Sequence, residues 1–383
     1  MPNLSREDAI SVADKVVNYY SNFGRIDDYF RHRKIERIKN IPTSLFGGPE
    51  VDLFSDYSIN PEDMNFKICI KPNDYFNDHL EIIASFSPDN VPGKTLKVVV
   101  QETNTGKDVG FIKFGSPVIN AKPRNDWLRT DGGLKNSGML SSTTVPNLEI
   151  WNKRVIMGFI IVPTQPFGFN YLGGKLMAAI CCSHELRDIL DKKYDTEFCL
   201  FETTSLYGNI KGASMYDGMR PYLKYRGDTQ SNFLLTMGDD IYPELKKWFE
   251  ERNGGPLVPN HASSRKLKTQ TKMVSMIKAS LKEHDTTKYN EFCECIKTST
   301  DVTTQKRFYM SDYGYANSKE LLLGKTDTLV KSESYDKYSL ENITKWWKKK
   351  ATKRYNNLKN QDRVRDKLEY WNVDSIDKID IIR

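Results

Sequence analysis

Apolar positions change period several times along the chain, and the changes divide it. From Ser5 to about Ile41 the pattern is helical: Ser5 suits a cap, Glu7 and Asp8 a first turn, and Ile10, Ala13, Val16 and Val17 recur at helical spacing. A second helical piece, Ile26 to Ile38, carries Arg31-His32-Arg33-Lys34, stops before Pro42, and leads into a Gly-, Pro- and Asp-rich linker from Ser44 to Asp63. The period then shortens. Leu80 to Phe86 is a short apolar run closed by Ser87-Pro88-Asp89-Asn90. Thr95 to Glu102 alternates, Asn104-Thr105-Gly106-Lys107 turns, and Val109 to Phe114 follows, which predicts a β-hairpin. The polar, Gly-rich interval from Lys122 to Pro146 reads as a functional loop or a partly mobile one.

The clearest signal lies in the middle. Val155 to Val162 is a continuous apolar run of strand length, Pro163 to Phe169 a turn, Leu172 to Leu190 helical, and Thr196 to Thr203 a second apolar strand. That order predicts a parallel βαβ crossover with buried strands. Leu176, Ala179, Ile180, Leu186, Ile189 and Leu190 fall on one helix face, and Lys175, Glu185, Arg187, Asp188 and Lys192 elsewhere. Tyr242 to Glu251 is helical and broken by Gly254-Gly255-Pro256. From Ser263 the chain is mainly helical and ends in a long helix from Ser339 to roughly Tyr370. The expected class is α/β (α+β), in three parts: a helical segment and linker over 1–63, an α/β domain over 64–240, and a basic, mainly helical region over 241–383.

Composition narrows the partners. With 38% hydrophobic and 28% charged residues the chain is globular but polar, and no run approaches the roughly 18 apolar residues of a membrane span. Met1-Pro2-Asn3-Leu4-Ser5-Arg6 has no signal-peptide pattern, so the expected location is the cytoplasm, with no membrane partner. Cys69, Cys181, Cys182 and Cys199 stand in apolar surroundings, and Cys293-Glu294-Cys295 lacks a second ligand pair, so no metal is expected. Charge is uneven: residues 261–383 hold 26 lysines and arginines against 17 acids, while the whole chain carries +7.

Two constellations carry candidate chemistry. Asn170-Tyr171-Leu172-Gly173-Gly174-Lys175 opens a helix, whose first turn has unpaired N–H groups and the positive end of the macrodipole. Glycines let a phosphate approach, and Lys175 adds a point charge. The alternative is that Gly173 and Gly174 only permit close helix-to-strand packing. Past the second strand, Glu202 in an apolar run would have a raised pKa and suit a general base, and Tyr207 a general acid. Glu202 paired with a cation and Tyr207 as a core tyrosine are the alternatives, and Glu102 is a weaker candidate base. Near the C-terminus, Trp346, Trp347, Lys348, Lys349, Lys350, Lys353 and Arg354 lie on one predicted helix, with Lys359, Arg363, Arg365 and Lys367 beyond. Arg265, Lys266, Lys268 and Lys272 form a second basic cluster. Such cations suit a phosphate backbone, with DNA favoured over RNA; a solvated helix face with two core tryptophans is the alternative.

The order hairpin, buried strand, glycine loop, helix, buried strand over Leu80 to Gly208 resembles GNAT acyltransferases. That resemblance implies a mixed sheet whose parallel strands splay, with an acyl-CoA pyrophosphate on the loop entering the helix, so acetyl-CoA or another acyl-CoA is the implied cofactor. The family's loop reads Gln or Arg, two residues, Gly, any residue, Gly or Ala; here Asn170 takes the first place and Lys175 the last. Asn170 to Leu176 and Glu202 to Gly208 also resemble the DruA family of the Druantia anti-phage system, a group similar to Mom, the phage enzyme that modifies adenine in DNA. The implied function is a GNAT-like transferase acting on or recruited to nucleic acid, with Asn170, Leu172, Gly173, Gly174 and Lys175 at the cofactor and Glu202 and Tyr207 catalytic. The rival is a non-catalytic DNA- or RNA-binding module of a phage or anti-phage system.

Overall fold

A computed structural model describes residues 4–39, 48–85, 93–129, 147–205, 214–229, 232, 234–262, 265–303 and 307–375. The chain forms two units that alternate in sequence, residues 1–40 with 231–304 and residues 41–230 with 305–381.

The first unit is helical: α1 (Arg6–Tyr20), α2 (Ile26–Ile38), α9 (Tyr242–Asn253), α10 (Arg265–His284) and α11 (Thr286–Asp301). Ser5 caps α1 by accepting from the Asp8 N–H at 3.2 Å. Ala9, Val12, Ala13 and Val16, three and four residues apart, are buried along one stripe of α1, as are Met273, Ile277 and Leu281 of α10. Gln270 is fully buried and satisfied: its amide donates to the Tyr20 hydroxyl and Leu235 carbonyl and accepts from the Met237 N–H.

The second unit is built on a seven-stranded mixed sheet. Its strands are β1 (Phe66–Cys69), β2 (Thr95–Glu102), β3 (Asp108–Gly115), β4 (Val155–Pro163), β5 (Leu200–Ser205), β6 (Lys224–Gly227) and β7 (Arg307–Ser311), in the order β1-β2-β3-β4-β5-β7-β6. Every pair is antiparallel except β4 with β5. The helices are α3 (Asn73–Ile83), α4 (Lys122–Arg129), α5 (Leu148–Arg154), α6 (Phe167–Tyr171), α7 (Gly173–Ile180), α8 (His184–Tyr194), α12 (Ser318–Leu322) and α13 (Leu340–Asn360).

Strand alternation sorts the core into two layers. Val98, Val100, Ile112, Phe114, Ile156 and Phe201 face Leu176, Met177 and Ile180 of α7 and Trp347, Ala351 and Tyr355 of α13. On the opposite face, Val99, Phe111 and Ile160 pack under α3, and Val155, Leu200, Phe308 and Met310 pack with Trp151 and Leu128.

Several sequence expectations need correction. The run at Leu80 ends a helix, because Phe76, Leu80 and Ile83 fall three and four residues apart and bury one face of α3. The expected helix from Leu172 to Leu190 is two: Ser183 ends α7 and caps α8, donating to the Ile180 carbonyl and accepting from the Leu186 N–H. The last helix stops at Asn360, about ten residues early. The hairpin and the first middle strand are where the pattern put them, whereas the second begins at Leu200, four residues later than expected. The tripartite division expected from the sequence differs from the two units, since non-local packing joins α1 to α10 and α11 and returns β7 and α13 to the sheet. Among the described residues no helix is long and apolar enough to cross a membrane.

Trp347 ties α13 to this sheet layer: it is fully buried, stacks on Phe167 with centroids 6.1 Å apart, meets Phe66 edge-on at 5.0 Å, and donates its indole N–H to the Tyr171 carbonyl at 2.8 Å. Trp347→Ala is expected to lower unfolding stability by roughly 3–5 kcal/mol, read from urea denaturation; a loss within 1 kcal/mol would contradict this anchoring.

Candidate functional site

The corner between α6 and α7 is made by Leu172, which holds a left-handed backbone with φ 55° and serves as the cap of both helices. Just before it, Tyr171 sends its hydroxyl to the Tyr57 and Ile59 carbonyls at 2.8 and 3.1 Å, and burial pushes its pKa well up. Asn170, fully buried, clamps the main chain of Arg365: its Nδ2 donates to the carbonyl at 2.7 Å and its Oδ1 accepts from the N–H at 3.1 Å. Asn170 therefore orders a chain segment 195 residues away.

Gly173 is closely packed, and Gly174 lies under the end of the exposed Met215 side chain. A Cβ on Gly173 would stand 2.6 Å from the Phe167 ring and 3.0 Å from Pro163, and one on Gly174 would stand 1.7 Å from the Met215 methyl. Gly173 thus fits the close-packing alternative, whereas only the flexible end of Met215 stands over Gly174. Lys175 donates to the carbonyls of Met215 and Asp217 at 2.8 and 2.6 Å; burial, then the nearby Lys350 charge, lowers its pKa. The turn over the helix start is itself held, because the Asp217 carboxylate receives Arg307 at 2.5 Å and the Tyr309 hydroxyl at 2.6 Å.

Beside this corner the sheet divides. β4 pairs with β5 at Val155, Ile156 and Met157; beyond, β4 stays with β3 to Pro163 while β5 stays with β7 to Ser205. The Thr203 hydroxyl donates to the Gly158 carbonyl at 3.1 Å, at the point of parting.

Glu202 lies on the far face. Its register partner Met310 belongs to the layer of Trp151 and Leu128, opposite α7, so Glu202 is not brought to the glycine corner. Arg124 meets both carboxylate oxygens at 3.1 and 2.8 Å, also donates to the Val118 and Ile119 carbonyls, and lies 4.8 Å from the Trp151 ring. Both side chains have no solvent exposure. The structure thus places Glu202 in the paired arrangement weighed as its alternative. Burial pushes the carboxyl up to about 7 against the pull of Arg124. Tyr207 lies outside the described residues. Glu102 is occupied by its own hairpin, accepting from the N–H groups of Asn104 and Thr105 and from the Thr105 hydroxyl.

The basic residues fall into two places. Arg265, Lys266 and Lys268 are on α10 of the helical unit, where Lys266 pairs with Asp239 at 3.2 Å. Trp346 to Arg354 are on α13, which packs against α6 and α7. Trp347, as buried, cannot stack on a base. Trp346 is half-buried, 5.0 Å edge-on to Tyr222, with Lys350 5.4 Å from its ring. Lys348 reaches Asn65, whereas Lys349, Lys350 and Lys353 are exposed and form no ion pair among the described residues. Sequence reading missed Arg124, hidden in a stretch read as loop, and a cluster of His32, Glu36 and Asp240 in the helical unit. There Arg33 pairs with Glu36 at 2.9 Å, which makes the cluster an ion-pair network.

Comparison with known proteins adds one relationship. Over 173 residues, 42% of this chain, the sequence is 24% identical to the Druantia protein DruA of Escherichia coli (strain UMEA 4076-1). The chain resembles a Druantia protein. The matched stretch covers 39% of that protein, so the chain spans well under half its length. Neither a family model nor a solved structure matches the chain.

The Glu202–Arg124 pair gives stability a pH dependence. The carboxyl titrates near 7 when folded and near 4.5 when free, so folding takes up a proton between those values. Its contribution, complete below pH 4.5, is lost progressively as pH rises through about 7. Urea titrations of the parent and Glu202→Gln from pH 4 to 8 should show that slope in the parent and its loss in the variant; parallel curves would contradict the assignment.

Proposed function

We propose that the chain is a nucleic-acid-binding protein of a Druantia-like anti-phage system, gripping a phosphate backbone with the outer face of α13. The observation that carries this reading is how α13 is mounted. Trp347, Ala351 and Tyr355 bury one side against the sheet unit, and this turns Lys349, Lys350 and Lys353 outward from a rigid helix beside Lys175. A seated helix fixes where these lysines start, and each phosphate they neutralise releases counterions. The weak likeness to DruA, and the anti-phage setting implied by that family, favour nucleic acid as the polymer, with DNA the first to test.

A second reading keeps the acyltransferase. It draws on the parting of β4 from β5 beside α7, the arrangement of GNAT sheets, and on a carboxyl at Glu202 that titrates near 7. Phe167 and Met215 fill the space over the two glycines, so an acyl-CoA pyrophosphate does not fit this corner until Met215 moves. Glu202 lies on the other face with its charge met by Arg124. The geometry therefore favours binding over catalysis. Calorimetric titration with acetyl-CoA separates the two: the acyltransferase reading expects binding that tightens in Met215→Ala, and absence of heat in parent and variant would remove it.

For the favoured reading, anisotropy of a labelled duplex should show affinity falling roughly 40-fold between 50 and 200 mM salt if about three phosphates are contacted. The triple substitution Lys349→Gln, Lys350→Gln, Lys353→Gln should reduce the salt slope by two to three and weaken binding at least about tenfold at low salt. No binding by the parent at 50 mM salt, or a triple variant equal to the parent, would overturn it.

A further inference from the structure

Beyond the last turn of α13 the chain folds back along α6 and concentrates arginines around one aromatic ring. The Arg354 guanidinium lies 4.8 Å from the centroid of Phe169 and that of Arg365 lies 4.1 Å from it. Arg354 Nε also donates to the Phe169 carbonyl at 3.3 Å. Arg363 is close enough that its charge acts on Arg354: burial first, then the charges of Arg363 and Arg365, lower the Arg354 pKa. Among the described residues neither Arg354 nor Arg363 forms an ion pair, and Arg365 shares its charge with Glu369 at 2.9 Å.

Like charges gathered in this way oppose folding, so something must hold them. Three contacts do. Asn170, fully buried, fixes both main-chain polar groups of Arg365. Glu369 N–H donates to the Gln165 carbonyl at 2.9 Å, and Trp371, 1% exposed, donates its N–H to the Ile82 carbonyl at 2.6 Å. The helix C-terminus offers a simpler account of nearby cations, since its carbonyls favour positive charge within the last turn. That explains Lys359 and part of Arg363. It does not explain Arg365, which sits outside the helix and is placed by an asparagine from α6.

Resting on the nucleic-acid reading above, we propose that Arg354 and Arg365, which lie against Phe169, together with the neighbouring Arg363 form a backbone-phosphate subsite that fixes where the polymer crosses the end of α13, and that Asn170 is its positioning residue. Guanidinium groups suit this task because their planar fork can meet two phosphate oxygens at once, and the Phe169 ring orders those of Arg354 and Arg365 before the ligand arrives. The lysines along the helix supply attraction without register; this cluster supplies register.

The test compares two double variants that remove the same charge. Arg363→Gln with Arg365→Gln alters exposed side chains and leaves the backbone bonds to Asn170 in place. Lys192→Gln with Lys193→Gln on α8 is the control. With the full chain and a labelled oligonucleotide, the arginine pair should weaken binding at least about tenfold more than the control and reduce the salt slope by about two, in a variant that still unfolds cooperatively. Equal effects of the two doubles would overturn the subsite while leaving nucleic-acid binding intact. Failure of the parent to bind any oligonucleotide would remove the reading and the subsite together. Pyrophosphate is the second probe: binding lost in the arginine variant while oligonucleotide affinity stays unchanged would overturn the polymer assignment.

Discussion

The hydrogen bond from the Trp347 indole to the Tyr171 carbonyl, closed off from water by Phe167 and Phe66, is the contact on which the rest of the arrangement depends. Tyr171 is the last residue of α6, and its carbonyl sits where the chain turns through Leu172 into α7. A helix rich in lysine has little reason to adhere to a sheet unless one side is apolar and its polar edge is satisfied. Trp347 meets both conditions. It seats α13, and with it every exposed cation from Lys345 to Arg354, at the corner that the glycines form.

That seating changes the meaning of the glycine corner. In isolation, a helix start with two glycines and a lysine is a phosphate cradle. In the folded chain Phe167 and Met215 occupy the glycines, Lys175 braces the turn at Met215 to Asp217, and Asn170 faces away to hold Arg365. The positive charge that remains available lies outside the corner, along α13 and around Phe169. Glu202 shows the same substitution of structure for chemistry: its carboxylate and the Arg124 guanidinium are buried together, an arrangement in which removing one partner leaves an uncompensated charge.

Much of the fold was legible because its local signals were strong. The hairpin could be read from the turn at Asn104 to Lys107, and β4 from an unbroken apolar run, since two-residue alternation and continuous apolarity have few competing explanations. What escaped had non-local causes. β7 is five residues with a polar residue at each end, and only its place between β5 and β6 makes it a strand. Ser183 divides a pattern that reads as one helix, because a buried cap costs only one polar residue in an apolar stretch. The candidate site was legible as a set of residues but not as a geometry. The sequence names Glu202, Gly173 and Lys350 equally well; which sheet face each occupies follows from pairing partners such as Met310, more than a hundred residues away.

The central claim is that the exposed cations of α13 and the segment after it meet the phosphate backbone. Mass-spectrometric footprinting of lysine and arginine reactivity on the full chain, with and without a DNA duplex, tests it most directly. The account predicts protection at Lys349, Lys350, Lys353, Arg363 and Arg365, with Lys192 and Lys193 unchanged. Protection confined to Arg265, Lys266 and Lys268 of α10, with α13 as reactive as in the free protein, would contradict it.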